Sequence, residues 1–145
     1  MSCDISLKAQ DILLSGSDWQ IKDIPNDTTR VFCNDWIPAI VPGNIQADLE
    51  ASEYLKPLWY GEGDSCLHAV AWRDWWYRKD FIVPSAFTGR CMTIVFDGVD
   101  SECEVWLNGV KIGEHAGMFK RFRFDVTEAI RPGKENRIEV RIAGM

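Results

Sequence analysis

The sequence predicts an all-β fold, a β-sandwich of about eight strands with one or two short helical turns, in a single domain over residues 1–145. Three observations carry this expectation. Apolar and polar residues alternate on both sides of Asn108-Gly109, and that dipeptide between alternating runs is the strongest short-range hairpin signal a sequence offers. The alternation continues through Phe122, Phe124 and Val126, and again through Ile138, Val140 and Ile142. Candidate strands also recur at roughly the 8–12-residue spacing of sandwiches and barrels, with turn residues between them.

Each element follows in order. Residues 19–22 form a first short strand. Residues 35–43 contain Pro38 and Pro42, which lack an amide hydrogen and so allow only an edge strand or an extended segment. Asn44 caps a short helix that sets Ile45 and Leu49 four apart on one face, with acidic Asp48 beside them. Residues 55–71 show little periodicity and hold Pro57, Gly61 and Gly63, hence a long surface loop carrying Trp59 and Tyr60. Such loops are functional or disordered, and this one is too aromatic for disorder. Residues 74–84 alternate as a strand closed by Pro84, Thr88-Gly89 turns the chain, and residues 91–96 form the next strand before the Asp97-Gly98 turn.

A two-residue hairpin loop then sets Leu107 opposite Val110, Trp106 opposite Lys111 and Val105 opposite Ile112. Cys103, Val105, Leu107, Val110 and Ile112 would share the buried face, while the Lys111 ammonium covers the Trp106 ring on the other. Thr127 caps one helical turn over residues 128–130, Pro132-Gly133 ends it, and residues 137–142 form the last strand.

A chain of 145 residues buries about 68–70 % of its unfolded surface, enough to fold without a metal or disulfide. The formal charge of −6 argues against nucleic acid, whose binding rests on neutralising phosphates. The basic cluster Lys120, Arg121 and Arg123 reads as the solvated side of the Phe122/Phe124 strand. No run of about 18 apolar residues is present, so no membrane-spanning helix is expected. The N-terminus has no basic start and its apolar piece is flanked by Asp4 and Asp11, unlike a secretion signal. Five cysteines, an odd number with none in Cys-x-x-Cys spacing, read as free thiols, with Cys103 and Cys91 as core strand residues. These features favour a cytoplasmic address without fixing it.

The usual catalytic and cofactor signatures are absent: no Gly-x-Ser-x-Gly elbow, no dinucleotide fingerprint, no P-loop. Neither His68 nor His115 stands in metal-ligand spacing, so no metal and no cofactor are expected. His115 reads as a surface residue, whereas His68, in the aromatic loop, is placed to touch a ligand. Glu102 and Glu104 alternate with buried residues and point to solvent. Asp97 and Asp100 hold turns, with calcium ligation the other use for Asp100. Trp36, Trp76, Tyr77 and Phe81 read as strand and core residues. Trp59, Tyr60, Trp72 and Trp75, near Glu62, Asp64, Arg73 and Asp74, suit a sugar, whose C–H face stacks on rings while polar groups bond its hydroxyls. Docking of a neighbouring domain is the other use for exposed tryptophan, and the two are compatible.

A set of short motifs runs through the chain in order. They are Val41-Pro-Gly-Asn44 with Asp48-Leu49, Asp74-Trp-Trp-Tyr-Arg-Lys-Asp-Phe81 with Pro84, and Phe96-Asp-Gly-Val-Asp-Ser101. Val105-Trp-Leu-Asn-Gly109, Ile112-Gly-Glu-His115, Phe124-Asp-Val-Thr127 and Gly133 with Asn136 follow. In this order and spacing the chain resembles the N-terminal sugar-binding domain of glycoside hydrolase family 2, over residues 19–142. The Val-Pro-Gly and Asp-Trp motifs look most like the β-mannosidase and exo-β-glucosaminidase branch.

The resemblance implies a galactose-binding-like jelly roll and a partner set of carbohydrate plus downstream immunoglobulin-like and (β/α)8 barrel domains. It places catalysis on the barrel, where two glutamates about 5–5.5 Å apart hydrolyse β-linked O-glycosyl bonds with retention. The family's acid/base glutamate follows an asparagine, and no Asn-Glu dipeptide occurs here, so no catalytic residue is expected in this chain and it should be inactive alone. The implied edge of the substrate pocket is Trp72, Arg73, Asp74 and Trp75, with Glu62 and Asp64 behind and Trp59 in the same loop. Gly61-Glu-Gly-Asp64 stands where β-mannosidases tend to carry Asn-Glu, which speaks against mannose. A free-standing carbohydrate-binding module or lectin, and a protein-interaction module using the region from Trp59 to Trp75, are the alternatives.

Overall fold

The computed structural model describes residues 11–24, 32–55 and 68–144. Its strands are β1 (Gly16–Asp23), β2 (Ile37–Val41), β3 (Trp75–Ile82), β4 (Thr93–Phe96), β5 (Glu102–Leu107), β6 (Val110–Ala116), β7 (Phe122–Asp125) and β8 (Glu135–Ile142). The α-helix α1 (Ile45–Ala51), a second α-helical turn over residues 68–71 and a 3-10 turn at Ser85–Phe87 accompany them. Six strands form one antiparallel sheet in the order β2-β1-β3-β8-β5-β6, and β4 pairs with β7 in a second sheet. The predicted all-β sandwich is the observed fold.

Strand β2 lies on the sheet edge, where the missing amide hydrogen of Pro38 costs no ladder bond. The inner face of the large sheet buries Trp19, Ile21, Tyr77, Val105, Leu107, Ile138 and Val140, and Ile94 and Val126 close the core from the other side. Lys79 also points inward. Its ammonium donates to the Leu14 carbonyl at 2.9 Å and to Asp18 at 2.6 Å, which satisfies a charge that burial would otherwise make costly. Helix α1 begins where expected: the Asn44 side-chain oxygen accepts from the Ala47 amide at 2.8 Å. Leu49 is fully buried, and Asp48 accepts from the Ile40 amide at 3.2 Å, fastening the helix to the edge strand.

The hairpin turn is built as the Asn-Gly dipeptide requires, with Asn108 at φ 52° and Gly109 at φ 82°. Leu107 pairs with Val110 and Trp106 with Lys111, but a bulge then brings Val105 opposite Gly113 and leaves Ile112 unpaired. The reason lies in the other sheet. A Cβ on Gly113 would stand 2.2 Å from the Phe124 ring, so only glycine admits that ring against β6. As a result Val110 is exposed and Ile112 half-buried, correcting the expected buried face. The Lys111 ammonium does not cover the indole. It donates to Glu104 at 2.6 Å and Glu114 at 3.0 Å, and Trp106 meets Trp76 edge-on at 6.5 Å.

Two further expectations are corrected. Cys91 is exposed because β4 starts at Thr93, while Cys103 is a core thiol whose pKa burial pushes up to about 11. The turn after β7 is capped by Asp125, which accepts from the Thr127 amide at 2.9 Å. The Thr127 hydroxyl instead accepts from the Met92 amide at 3.0 Å, stitching the turn to the chain entering β4.

Asn108 and Asn136 join the hairpin turn to the start of β8. Asn108 Nδ2 donates to Asn136 Oδ1 and to the Ala129 carbonyl, each at 2.8 Å, and its Oδ1 accepts from the Arg137 amide at 2.9 Å. Buried Asn136 also accepts from the Arg131 amide and donates to the Arg131 and Lys134 carbonyls. Asn136→Ala strands several buried polar groups at once, so chemical denaturation should show a loss of about 2–3 kcal/mol. A loss under about 0.5 kcal/mol would mean that water replaces the amide without cost.

Candidate functional site

The candidate site is the turn that feeds β3, residues 72–74, together with the end of β8. Side chains alternate between faces along an extended chain, so Arg73 and Trp75 go inward while Trp72 and Asp74 go outward. Arg73 and Trp75 are each only 1 % exposed. Arg73 forms a buried ion pair with Asp23, whose carboxylate also accepts from the Phe32 amide at 2.9 Å. The guanidinium lies 4.8 Å from the Phe32 ring centroid. Trp75 donates its indole N–H to the Val70 carbonyl at 3.1 Å and packs against Phe32. Both residues therefore form the buried foundation under the turn rather than its accessible edge.

Trp72 is 65 % exposed and presents its indole to solvent. Asp74 is held from two directions. Its carboxylate accepts from Arg141 Nε at 3.1 Å, from a second nitrogen of the same guanidinium, and from the Gly144 amide at 3.0 Å. Burial pushes the Asp74 pKa up, but the Gly144 amide and Arg141 outweigh it and leave it below its ordinary value. A carboxylate so engaged is a structural acceptor, poorly suited to shuttle protons. Arg141 continues to Glu104 at 3.3 Å, and Glu104 to Lys111, so a line of paired charges crosses the outer face of the sheet. Lys111 also holds the Glu104 pKa low.

Gly144 completes the arrangement. A Cβ there would lie 2.6 Å from the Trp72 carbonyl carbon and 2.7 Å from the Arg73 nitrogen, so glycine lets the end of the chain lie against the turn. Asp23, Arg141 and Gly144 were missed by sequence reasoning. Their partners stand far away along the chain, and no local pattern announces them. His68 is exposed at the start of the described part of this region. Glu62, Asp64 and Trp59 lie outside the described residues. Among the described residues, no group of three or more His, Cys, Asp or Glu is arranged to hold a metal ion. No described helix is long and apolar enough to cross a membrane. Two shallow clefts near β1 and β3 share Asp18, Lys79 and Asp80, and neither takes in Trp72 or Asp74. What the turn offers chemically is a flat apolar ring on a rigid base.

The family model for the glycosyl hydrolase 2 galactose-binding domain-like group matches residues 19–144. Beta-mannosidase B of Neosartorya fischeri is 32 % identical over 123 residues, which is 84 % of this chain and 14 % of that protein. The beta-mannosidase of Rattus norvegicus is 30 % identical over 96 residues, 66 % of this chain and 11 % of that protein. Among solved structures, the beta-D-mannosidase from Dictyoglomus thermophilum aligns with a TM-score of 0.78 at 33 % identity, over 90 % of this chain and 15 % of that one. A β-glucuronidase from Ruminococcus gnavus aligns over 90 % of this chain and 21 % of its own, with a TM-score of 0.67, and at 19 % identity it is a likeness of fold alone. The chain thus spans a small part of the length of the relatives it matches.

Proposed function

Since this chain belongs to glycoside hydrolase family 2, as its galactose-binding-like N-terminal domain, we propose that it lines the substrate pocket of a longer retaining β-glycosidase. It does so without supplying a catalytic group. In this reading, cleavage of the O-glycosyl bond takes place on a barrel domain elsewhere in the polypeptide, and this chain is inactive alone. Trp72 borders the pocket, where its ring stacks on the C–H face of a sugar. The observation that carries the reading is the exposed Trp72 indole, fixed from below by buried Arg73 and Trp75 and from the side by the contacts of Asp74 with Arg141 and Gly144. The relatives at 30 % identity or more that are matched over two thirds or more of this chain, such as beta-mannosidase B of Neosartorya fischeri and the Dictyoglomus thermophilum beta-D-mannosidase, support a β-mannoside as the first substrate to try, against the expectation from Gly61-Glu-Gly-Asp64.

In the full-length polypeptide, Trp72→Ala should raise KM for an aryl β-mannoside by about tenfold, the scale of one aromatic stacking contact of 1–1.5 kcal/mol, with Tm unchanged. Unchanged kinetics in a folded variant would remove Trp72 from the pocket. Titration of the 145-residue chain with the same sugar separates the alternative: tight binding without a barrel would mark a free-standing carbohydrate-binding module.

A further inference from the structure

The connection between β6 and β7, residues 117–121, holds the most exposed aromatic side chain among the described residues. Phe119 is 93 % exposed and Met118 beside it 45 %. Phe119 also sits at φ 60°, a left-handed conformation that is a genuine outlier for a bulky residue. Such backbone persists only where its surroundings hold it, and contacts flank it on both sides. The Gly117 amide donates to the Ser101 carbonyl at 2.8 Å, and His115 Nε2 lies 3.3 Å from the Gly117 carbonyl. The His115 ring stacks on Phe122 at 4.0 Å, and Phe122 stacks on Phe96 at 4.8 Å. Arg121 pairs with Asp97 at 3.2 Å on the far side. The stem is therefore held by the Gly117 amide and by the His115–Phe122–Phe96 stack, with only a solvent-exposed ion pair at Arg121, and the tip holds two apolar side chains out in water.

We propose that this tip is a docking knob that inserts Phe119 into a socket on another domain of the same longer polypeptide. The inference rests on the reading of the chain as one domain of such a polypeptide. Three observations select this occupant. The beta-mannosidases described above give it only 11–15 % of their length, so most of the surface available to cover the knob belongs to the same molecule. Lys120, Arg121 and Arg123 follow Phe119 closely in the sequence as exposed cations, Arg121 paired with Asp97, on a chain of net charge −6. The socket is accordingly an apolar hollow edged by carboxylates, which orients the two domains while the ring supplies the buried anchor. Finally, residues 117–121 contribute no side-chain acceptor of their own and line neither of the two clefts described above, whereas sugar sites are concave and ring their ligand with hydrogen-bonding groups. An overall negative charge likewise disfavours an anionic lipid surface.

Hydroxyl-radical footprinting read by mass spectrometry tests this on the 145-residue chain and on the full-length gene product in parallel. Phe119 and Met118 should label freely in the short chain and severalfold less in the long one. Phe119→Asn, which suits the left-handed backbone, should leave the Tm of the short chain unchanged and lower the transition of this domain in the long one. Equal labelling of Phe119 in both, or an equal effect of the variant in both, overturns the proposal. Protection of Phe119 in the short chain by methyl β-mannoside, or by anionic vesicles of phosphatidylserine, overturns it in favour of that ligand. Trp72 is read in the same digests with an imino-sugar inhibitor. Its protection alongside a freely labelled Phe119 removes the knob alone, whereas a gene product no longer than this chain removes both readings.

Discussion

Arg73→Leu is expected to destabilise the chain by about 3–5 kcal/mol, because it leaves the Asp23 carboxylate buried with no counter-charge. Neither member of the pair has appreciable solvent access, with side-chain exposures of 1 % and 0 %. The Asp23 carboxylate keeps two backbone amides, from Phe32 and Cys33, which soften the loss without replacing a cation. Among the described residues, two guanidinium nitrogens of Arg73 have no partner, so the cation depends on Asp23 and on the Phe32 ring. The double variant Asp23→Leu/Arg73→Leu should recover part of the loss, since an apolar pair of similar volume avoids the stranded charge. Urea unfolding of the single and double variants measures both. A single-variant loss below 1 kcal/mol would show that water reaches Asp23.

Leu107→Ala should cost about 2–5 kcal/mol, the range for a fully buried leucine. The Trp106 ring beside it is half-buried on the outer face against Trp76, so Trp106→Ala should cost distinctly less. Denaturation midpoints of the two variants test the face assignment directly. Equal losses would mean that the outer face of the sheet packs as a second core, as a covering domain would produce.

The hairpin shows what local chemistry makes legible. Asn108 and Gly109 specify a turn with two positive-φ residues, and that turn sets the first two cross-strand pairs without help from elsewhere. The third pair failed because Phe124, on another strand of another sheet, occupies the place of a Cβ at position 113. The edge strand was readable from Pro38 and the helix start from Asn44, since both are statements about a residue's own backbone bonds. Residues 72–75 were readable as a functional stretch but not as inward and outward sets. Period two divides them correctly, yet tryptophan stands in both sets, and only packing decides which tryptophan is core.

By itself, the order of residues determined the sandwich, its turns, its edge strand and its family, because each depends on nearest-neighbour dihedral preference and on apolar alternation. Tertiary structure alone decided that Asp23 answers Arg73 and Arg141 answers Asp74, and that Gly144 seats against Trp72. Those partners are 50 to 70 or more residues apart along the chain, and only the folded sheet brings opposite charges and bare backbone within reach of one another.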